Sequence, residues 1–271
     1  MSLTRATRSE STKLFTTSIW WLLGIVLVAY IAFTAAAVGL AFSLSASGSL
    51  GDDAPVLPAE GLAPTLYSTA SSVGYVFPLL LGTLMVTGEF RHKTLTPTFL
   101  AIPRRGTVLW AKIVVGVLIG VIYAVAGIVA AVGPAAGILV ANDLPTALDE
   151  PDTWALFGRM LIVYVLWVLV GIGVGALVRN QVGAIVGVLV FTQFLEPVGR
   201  AAAAFVTELN DVVKYLPGAA SDALVGASLF TVGMPQAESA LEWWVGGLVL
   251  LGYAAVALLL GHLVSWRRDV S

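Results

Sequence analysis

Charge is scarce in this chain, and cysteine is absent. Only 11% of the 271 residues are Asp, Glu, Lys or Arg, and 58% are hydrophobic; a typical soluble domain is about 25% charged. The lack of cysteine excludes disulfides, thiolate metal sites and a cysteine nucleophile. This composition is typical of an integral membrane protein.

Motifs for nucleotide binding and catalysis are also missing. The chain has no G-x-x-x-x-G-K-[ST] segment, so it cannot hold nucleotide phosphates in the P-loop manner. It has no G-x-S-x-G elbow for a serine nucleophile. Its two histidines, His92 and His262, are far apart and lack an H-E-x-x-H companion. We therefore expect no enzyme activity, no catalytic residue, no metal and no cofactor in this chain, and no nucleic-acid partner.

What the chain does have is long apolar segments. An α-helix needs about 20 residues to cross ~30 Å of hydrocarbon, whereas a barrel strand is about half as long and alternates. The sequence therefore predicts an all-α integral membrane protein with six transmembrane helices. These are residues 19–44, 69–86, 108–141 and 156–178, a segment that starts at Val182, and residues 243–266.

Prolines and glycines predict local features of these helices. We expect a kink at Pro78, a break at Gly133-Pro134, and the end of the fifth span at Glu196-Pro197. Three G-x-x-x-G pairs would allow close helix packing, which we favour over a dedicated dimer seam. They are Gly116/Gly120, Gly171/Gly175 and Gly183/Gly187.

The distribution of charge predicts the orientation. Of the 14 Lys and Arg residues, all but Arg159, Arg200 and Lys214 fall on one predicted side of the membrane. Of the 16 Asp and Glu residues, only Glu10, Glu89 and Asp269 fall on that side. The positive-inside rule places the basic side, with both chain termini, in the cytoplasm.

The most basic loop, residues 87–105, lies between the second and third spans. We expect residues 88–94 to continue the preceding helix, and a short helix, residues 97–101, to start with Thr96 as N-cap and Pro97 in the first position. Phe90, Phe99 and Leu100 lie among its cations, which favours a docking surface for a cytoplasmic partner. A basic loop that only meets the membrane is the alternative.

A weakly amphipathic helix is predicted before the first span. Residues 3–15 place Leu3 and Leu14 roughly opposite Arg5 and Arg8, so this helix would lie on the inner membrane surface.

Two segments resemble the permease subunits of ABC exporters of the second type (ABC-2). GEFRHKT followed by LAIPRR is similar to their first cytoplasmic loop, commonly GEYRxGT and then PxR, and RSESTKLFTTSIWW is similar to their N-terminal connecting helix. Pro97 departs from the loop pattern and affects the expected length and angle of the docking helix. The matching positions are Glu89, Arg91, Thr94, Leu100, Pro103 and Arg105 in the loop, and Glu10, Lys13, Thr16, Thr17 and Trp20 in the helix.

The resemblance implies a function and partners. The chain would be a permease subunit in a prokaryotic plasma membrane, paired with a second copy as a homodimer or heterodimer and with two ATPase subunits that bind ATP and Mg. Residues 1–18 would form the connecting helix, 88–106 the coupling loop, and 196–241 an outer re-entrant hairpin within the six-span domain, 19–271. The expected ATPase-coupling residues are Glu89, Arg91, Thr94, Phe99, Leu100, Pro103, Arg104 and Arg105. Glu89 and Arg91 would be the structural ends of the coupling segment. Phe99, Leu100, Arg104 and Arg105 would lie nearer the ATPase.

In the family the substrate cavity is formed mainly by the second and fifth spans. The corresponding residues here are Phe77, Met85, Phe191, Gln193 and Phe194, and their apolar character implies a hydrophobic or amphipathic cargo such as a drug, lipid or peptide. Packing or lipid contact is the alternative for each. For the whole chain, the alternatives are a secondary carrier acting alone, for which Glu196 would be the nearest proton-relay candidate, and a non-transporting scaffold.

Overall fold

The computed structural model describes residues 2–46, 61–102, 104–203, 205–231 and 241–266, and within these ranges it contains helices and no strand. Six helical segments are long and apolar enough to cross a membrane. The predicted class is therefore confirmed, and the chain is a multi-pass membrane protein. The six segments are Ile19–Ser45, Leu62–Arg91, Arg105–Ala141, Pro151–Leu177, Gln181–Ala203 and Trp243–Val264.

The helices follow one another with short connections. The first six are α1 (Leu3–Thr16), α2 (Ile19–Ala46), α3 (Leu62–Tyr67), α4 (Thr69–Ser72), α5 (Val76–Arg91) and α6 (Leu95–Ala101). Then come α7 (Arg105–Ala141), α8 (Pro151–Leu177) and α9 (Gln181–Val190), which continues through a π-helical turn, Phe191–Leu195, into α10 (Glu196–Ala203). The rest comprises α11 (Thr207–Val213), α12 (Pro217–Val225), a 3₁₀ turn (Leu229–Thr231), α13 (Trp243–Gly261) and a final π-helical turn (His262–Trp266).

Helix α8 lies at the centre and packs against α5, α7 and α13. Glycines make these contacts close: a Cβ at Gly171 would lie 2.2 Å from the carbonyl oxygen of Leu79, and a Cβ at Gly120 would lie 3.0 Å from Cα of Val165. Two of the predicted G-x-x-x-G pairs, on α7 and α8, therefore serve core packing, as small residues do in membrane bundles. The third pair does not: at Gly187 no atom lies within 4 Å of the added Cβ.

The predicted break at Gly133-Pro134 was wrong, because α7 runs through Pro134 to Ala141. Proline removes one backbone hydrogen bond, and in membrane bundles packing against neighbouring helices can offset that loss. Ala131, Ala135 and Leu139 are all fully buried. The helix thus reaches 37 residues, about 55 Å at 1.5 Å per residue.

Two other prolines also lie inside helical segments. Pro78 is in the first turn of α5, where no N–H donor is needed, and the interruption falls just before that helix, at residues 73–75. The fifth span does not end at Glu196-Pro197, as predicted, but extends to Ala203. A π-helical turn precedes Pro197. Because proline has no N–H group, it cannot donate to the carbonyl of Thr192, five residues before it. That carbonyl accepts a hydrogen bond from the Tyr75 hydroxyl at 3.0 Å instead.

We name the two ends of the bundle by their residues. The basic end contains α1, residues 92–102, which include α6, and the starts of α7 and α9. The acidic end contains α3, α4, the start of α8, and α10 to α12. The short helices α10, α11 and α12 occupy the region predicted to lack a full span, and α12 packs against α8 and α13.

Candidate functional site

Helix α1 lies against α7 at the basic end. Its buried face is Ala6, Glu10 and Leu14, which recur every four residues and so share one side of the helix. Of the two leucines predicted to share the apolar face, Leu14 is buried and Leu3 is 46% exposed. The buried face also carries a carboxylate, which a lysine of α7 meets.

Four charged side chains meet beneath α1. Lys112 Nζ lies 2.5 Å from Glu10 Oε2 and 3.0 Å from Glu89 Oε2. Lys13 Nζ lies 2.6 Å from Glu10 Oε1 and 2.7 Å from Glu89 Oε1. Each cation thus bridges the same two carboxylates, and the four residues form a closed, charge-balanced ring that we call the basic-end cluster.

The basic-end cluster joins four helices. Glu10 and Lys13 come from α1, Glu89 from the last turns of α5, and Lys112 from α7, only seven residues after that helix begins. Lys13 also donates a hydrogen bond to Thr98 Oγ1 on α6 at 3.1 Å, and Lys112 donates to the carbonyl of Met85 at 3.2 Å. The ammonium group of Lys112 is therefore satisfied although the residue is only 1% exposed.

Within the ring, Glu10 and Lys13 are held in their ionised forms. Burial alone would raise the pKa of Glu10, but Lys112 and Lys13 outweigh that effect and bring the pKa below its ordinary value. Burial alone would lower the pKa of Lys13, but Glu89 and Glu10 outweigh it, and the pKa of Lys13 is raised. Removing any one member would leave the others buried without full compensation.

The loop residues predicted to couple to an ATPase separate into two groups. Glu89 is buried in the basic-end cluster, and Phe99 packs beneath the Arg105 guanidinium, 5.1 Å from the ring centre. Leu100 is 79% exposed, and Arg91, Thr94 and Arg104 are also exposed. Pro103 lies outside the described residues. The loop thus has a fixed inner side and an open outer side.

The start of the short loop helix differs from the prediction. Helix α6 begins at Leu95 with Thr94 as N-cap, so Thr96 is not the cap and Pro97 is the third helical residue. Proline is tolerated there because the first turn of a helix needs no N–H donors. The carbonyl of Glu89 accepts the backbone N–H of Thr94 at 3.0 Å, and this bond closes the turn after α5.

Sequence reasoning missed Lys112 as a site residue. It counted this lysine only as one more cation on the predicted inner side, because hydropathy does not show which residues of distant segments meet. One signal was present: a lysine inside a long apolar helix is costly and marks a functional or paired position.

The residues predicted to contact substrate differ in their exposure. Phe77 is buried and packs against Tyr30, with ring centres 5.9 Å apart, and Met85 is half-buried. Phe191, Gln193 and Phe194 are exposed on the π-helical turn of the fifth span. A groove of about 420 Å³ lies elsewhere, between α2 and α7, and is lined by apolar and aromatic side chains that include Trp20 and Tyr123.

The acidic end also buries charge. Arg200 Nη2 lies 2.6 Å from Asp222 Oδ2. Glu196 caps the start of α12, where its Oε1 accepts the N–H of Ala219 at 3.0 Å. Its Oε2 is buried and has no hydrogen-bond partner among the described residues. Glu196, Arg200 and Asp222, which we call the acidic-end cluster, therefore contain two carboxylates and one cation.

The surroundings of the acidic-end cluster also fix it in place. Burial raises the pKa of Asp222, against the opposing effects of Arg200 and of hydrogen bonds from Ser228 and Ser72. The Trp167 indole donates to Ser221 Oγ at 3.2 Å, and its ring stacks on Tyr75 at 4.6 Å. Helix α12 is thus attached to α8, α10 and α4 through polar contacts.

These features define a six-span helical membrane protein with a buried charge cluster at each end. Comparison of the chain with protein-family models and with curated proteins found no match to either.

Proposed function

We propose that this chain is the transmembrane permease subunit of an ATP-driven ABC-2-type exporter. Its basic end faces the cytoplasm of a prokaryotic cell, with both termini on that side. A separate ATPase subunit, present in two copies, binds ATP and Mg. The complex moves a hydrophobic or amphipathic substrate outward.

The observation that supports this proposal best is the basic-end cluster. A loop that only connects two spans needs no buried charges, and burying Glu10, Glu89 and Lys112 is costly unless each of them is paired. Here the pairing ties α6 and the end of α5 to α1 and α7. A force applied to α6 is therefore passed to a membrane helix instead of being absorbed by a flexible loop.

The exposed side of the loop supports the docking of a partner. Leu100 is 79% exposed, and Arg91 and Arg104 are exposed on the same loop. An apolar side chain among cations suits a protein surface with an apolar pocket and an acidic rim. In the proposed complex that surface belongs to the ATPase.

Co-purification tests the docking proposal. The double variant Leu100→Asp/Arg104→Glu places two negative charges on the exposed side of the loop and leaves the basic-end cluster intact. Phe205→Asp is the control, since Phe205 is 89% exposed and lies at the acidic end. Wild type and the control should be isolated from the native membrane with a Walker-motif ATPase, and the double variant should lose most of it.

Two results would contradict the proposal. One is a full complement of ATPase on the double variant. The other is solute transport down an ion gradient by the purified chain reconstituted alone, which would favour a secondary carrier. If no variant or wild-type preparation contains an ATPase and no transport occurs, the scaffold alternative is favoured.

A second permease copy is proposed to pack on the fifth span. Val182, Val186 and Val190 of α9 are exposed at four-residue spacing, and Gly187 between them is open. Since the natural chain has no cysteine, Val186→Cys gives a single thiol whose cross-linking reports self-contact. Val129→Cys is the control, because Val129 is 66% exposed on α7. Equal cross-linking of both variants would contradict this dimer face.

The substrate assignment carries over from the resemblance. We propose that Phe191, Gln193 and Phe194 line the cavity between the two copies, with Phe77 and Met85 behind them. Single alanine substitutions should change substrate-stimulated ATP hydrolysis. If all five leave both transport and ATP hydrolysis unchanged, the residues serve packing or lipid contact.

A further inference from the structure

A polar cavity of about 290 Å³ lies at the acidic end, where the start of α8 meets α3 and the end of α12. Its lining includes Glu150, which is the N-cap of α8, then Asp152, Thr153 and Arg159 of α8, and Gly226 after α12. None of these residues belongs to the acidic-end cluster or to the residues assigned to docking and substrate. Its volume is at the small end of the range for ligand sites.

Arg159 gives this cavity a positive side. It lies within a candidate membrane span, Pro151–Leu177, where an arginine is costly and marks a functional position. It makes no ion pair with any described carboxylate. Its described contacts are a long hydrogen bond of 3.5 Å to the carbonyl of Val225 and a position 5.0 Å above the Trp243 ring. Most of its five N–H donors remain available for a ligand.

Gly226 makes room for the guanidinium group. Its φ is +85°, the left-handed conformation that ends α12, and a Cβ there would lie 2.9 Å from Arg159 Nη1. A side chain at this position would therefore be strained and would crowd the arginine.

Thr153 adds an unused polar group to the same lining. It is 1% exposed, and its Oγ1 has no hydrogen-bond partner among the described residues. Burying a hydroxyl without a partner is costly. Thr153 and Arg159 line the same cavity, so an anionic group bound there would supply the partner that the hydroxyl lacks.

The acidic side of the cavity is Glu150 and Asp152, which are exposed. Asp152 and Arg159 are seven residues apart, so they lie on the same face of α8 with two helical turns between them. Carboxylates at the mouth disfavour a simple anion, and the arginine disfavours a simple cation. A ligand with one charge of each sign satisfies both sides.

We propose that this cavity binds a small zwitterion, with its cationic amine against Glu150 and Asp152 and its anionic phosphate or carboxylate against Arg159 and Thr153. The ligand is either a free small molecule or the headgroup of a zwitterionic lipid such as phosphatidylethanolamine. The site is separate from the proposed docking surface and substrate residues, and it does not depend on ATP-driven transport.

Binding of O-phosphoethanolamine to the full-length purified chain tests the site, with inorganic phosphate as the matched probe that lacks the amine. Wild type should bind O-phosphoethanolamine saturably and more tightly than phosphate. Arg159→Gln should weaken binding at least about tenfold, the usual effect of losing a hydrogen bond to a charged group. Valine has nearly the same shape as threonine, so Thr153→Val should weaken binding severalfold and leave the unfolding temperature unchanged. If Thr153 had only a structural role, this substitution would not weaken binding.

The acidic side is tested by selectivity. Glu150→Gln/Asp152→Asn should reduce the preference for O-phosphoethanolamine over phosphate to near one. Lys214→Gln and Asp211→Asn are controls at the same end, since these two residues pair with each other at 2.8 Å outside the cavity, and both should retain the wild-type preference. Equal wild-type binding of the two probes would overturn the zwitterion assignment.

Nanodiscs with and without phosphatidylethanolamine distinguish the two sources. If the ligand is a lipid headgroup, phosphatidylethanolamine should raise the unfolding temperature of wild type but not of Arg159→Gln, and should block O-phosphoethanolamine. If the ligand is free, O-phosphoethanolamine should bind equally in both discs. Absence of saturable binding in detergent together with no effect of the lipid would overturn the site. None of these readouts involves an ATPase, so failure here leaves the proposed function standing.

Discussion

The two buried clusters differ in charge balance and in the number of ion pairs that hold them. In each cluster one buried glutamate oxygen, Oε2 of Glu89 or Oε2 of Glu196, has no hydrogen-bond partner among the described residues. In the basic-end cluster two lysines meet two glutamates, and each lysine bridges both carboxylates. In the acidic-end cluster one arginine pairs with Asp222, while Glu196 faces the N–H groups that begin α12 and keeps a buried oxygen without a described partner.

This difference separates two uses of buried charge. A closed, neutral ring loses stability when any member changes, and it therefore fixes the positions of the helices that contribute to it. In a cluster with an excess carboxylate, the ionised form of that carboxylate lowers the stability of the fold. Neutralising it should therefore change the free energy of unfolding little. The first suits a rigid connection, and in the second the loss of one carboxylate charge has little effect on stability.

Lys112→Met should have the largest effect. It keeps the length of the side chain but leaves Glu10 and Glu89 with only the half-buried Lys13, so the free energy of unfolding should fall by about 3–5 kcal/mol. Reversible unfolding in mixed micelles measures this change. Adding Glu10→Gln to the variant should recover part of the loss, and an unchanged stability of Lys112→Met would show that the ring contributes little.

The same substitution at both ends gives the next largest contrast. Glu10→Gln should lower the free energy of unfolding by about 2–3 kcal/mol, since two charge-assisted contacts are weakened. Glu196→Gln retains an acceptor for Ala219 N–H and removes the unpartnered charge, so its effect should stay within about 1 kcal/mol of zero. Equal losses at the two ends would contradict the contrast.

Acid should affect the two ends in opposite directions. The pKa of Glu10 is lowered by folding, so its stabilising effect is present above an unfolded pKa of about 4.3 and is lost as the pH falls toward the folded value. The pKa of Asp222 is raised, so stability from this group falls as the pH rises above about 3.9. Below about pH 4, α1 should lose hydrogen-exchange protection before α12 does.

Glu10→Gln is the control for that measurement. Without the carboxylate, α1 should be weakly protected at neutral pH and should show little further change in acid. Protection that disappears first in α12 would reverse the assignment of the two ends.

Thr98→Val should have the smallest effect. Lys13 Nζ donates to Thr98 Oγ1 at 3.1 Å, but it also contacts two carboxylates and is partly exposed, so the loss should be about 0.5–1 kcal/mol. Protease cleavage within α6 should become faster while cleavage of α12 does not change. An effect as large as that of Lys112→Met would mean that α6, and not α7, holds the ring together.

Composition and segment length were enough to predict the six spans, because the hydrocarbon thickness sets how many apolar residues a helix needs. They were not enough at the prolines. Around Pro134 the helix is packed through Ala131, Ala135 and Leu139, and before Pro197 the carbonyl of Thr192 accepts a hydrogen bond from the Tyr75 hydroxyl. Neither partner can be identified from the local sequence.

The site was predictable in part for a similar reason. Glu10, Lys13 and Glu89 were named from their resemblance to a family pattern, but the resemblance did not show that they meet. The residue that brings them together, Lys112, is 102 positions from Glu10 in the sequence. Arg159 and Thr153 were not selected either, because an available guanidinium and an unpartnered hydroxyl become visible only when the neighbouring helices are in place.

The length of α7 has a mechanical consequence. Lys112 fixes this helix near its start, and the 29 residues from there to Ala141 span about 44 Å. A tilt of about 5° at the lysine would carry the opposite tip through about 4 Å, for a rod of that length. A change at the ammonium group that tilted α7 would therefore have its largest effect at the acidic end, where the displacement would exceed the diameter of a water molecule.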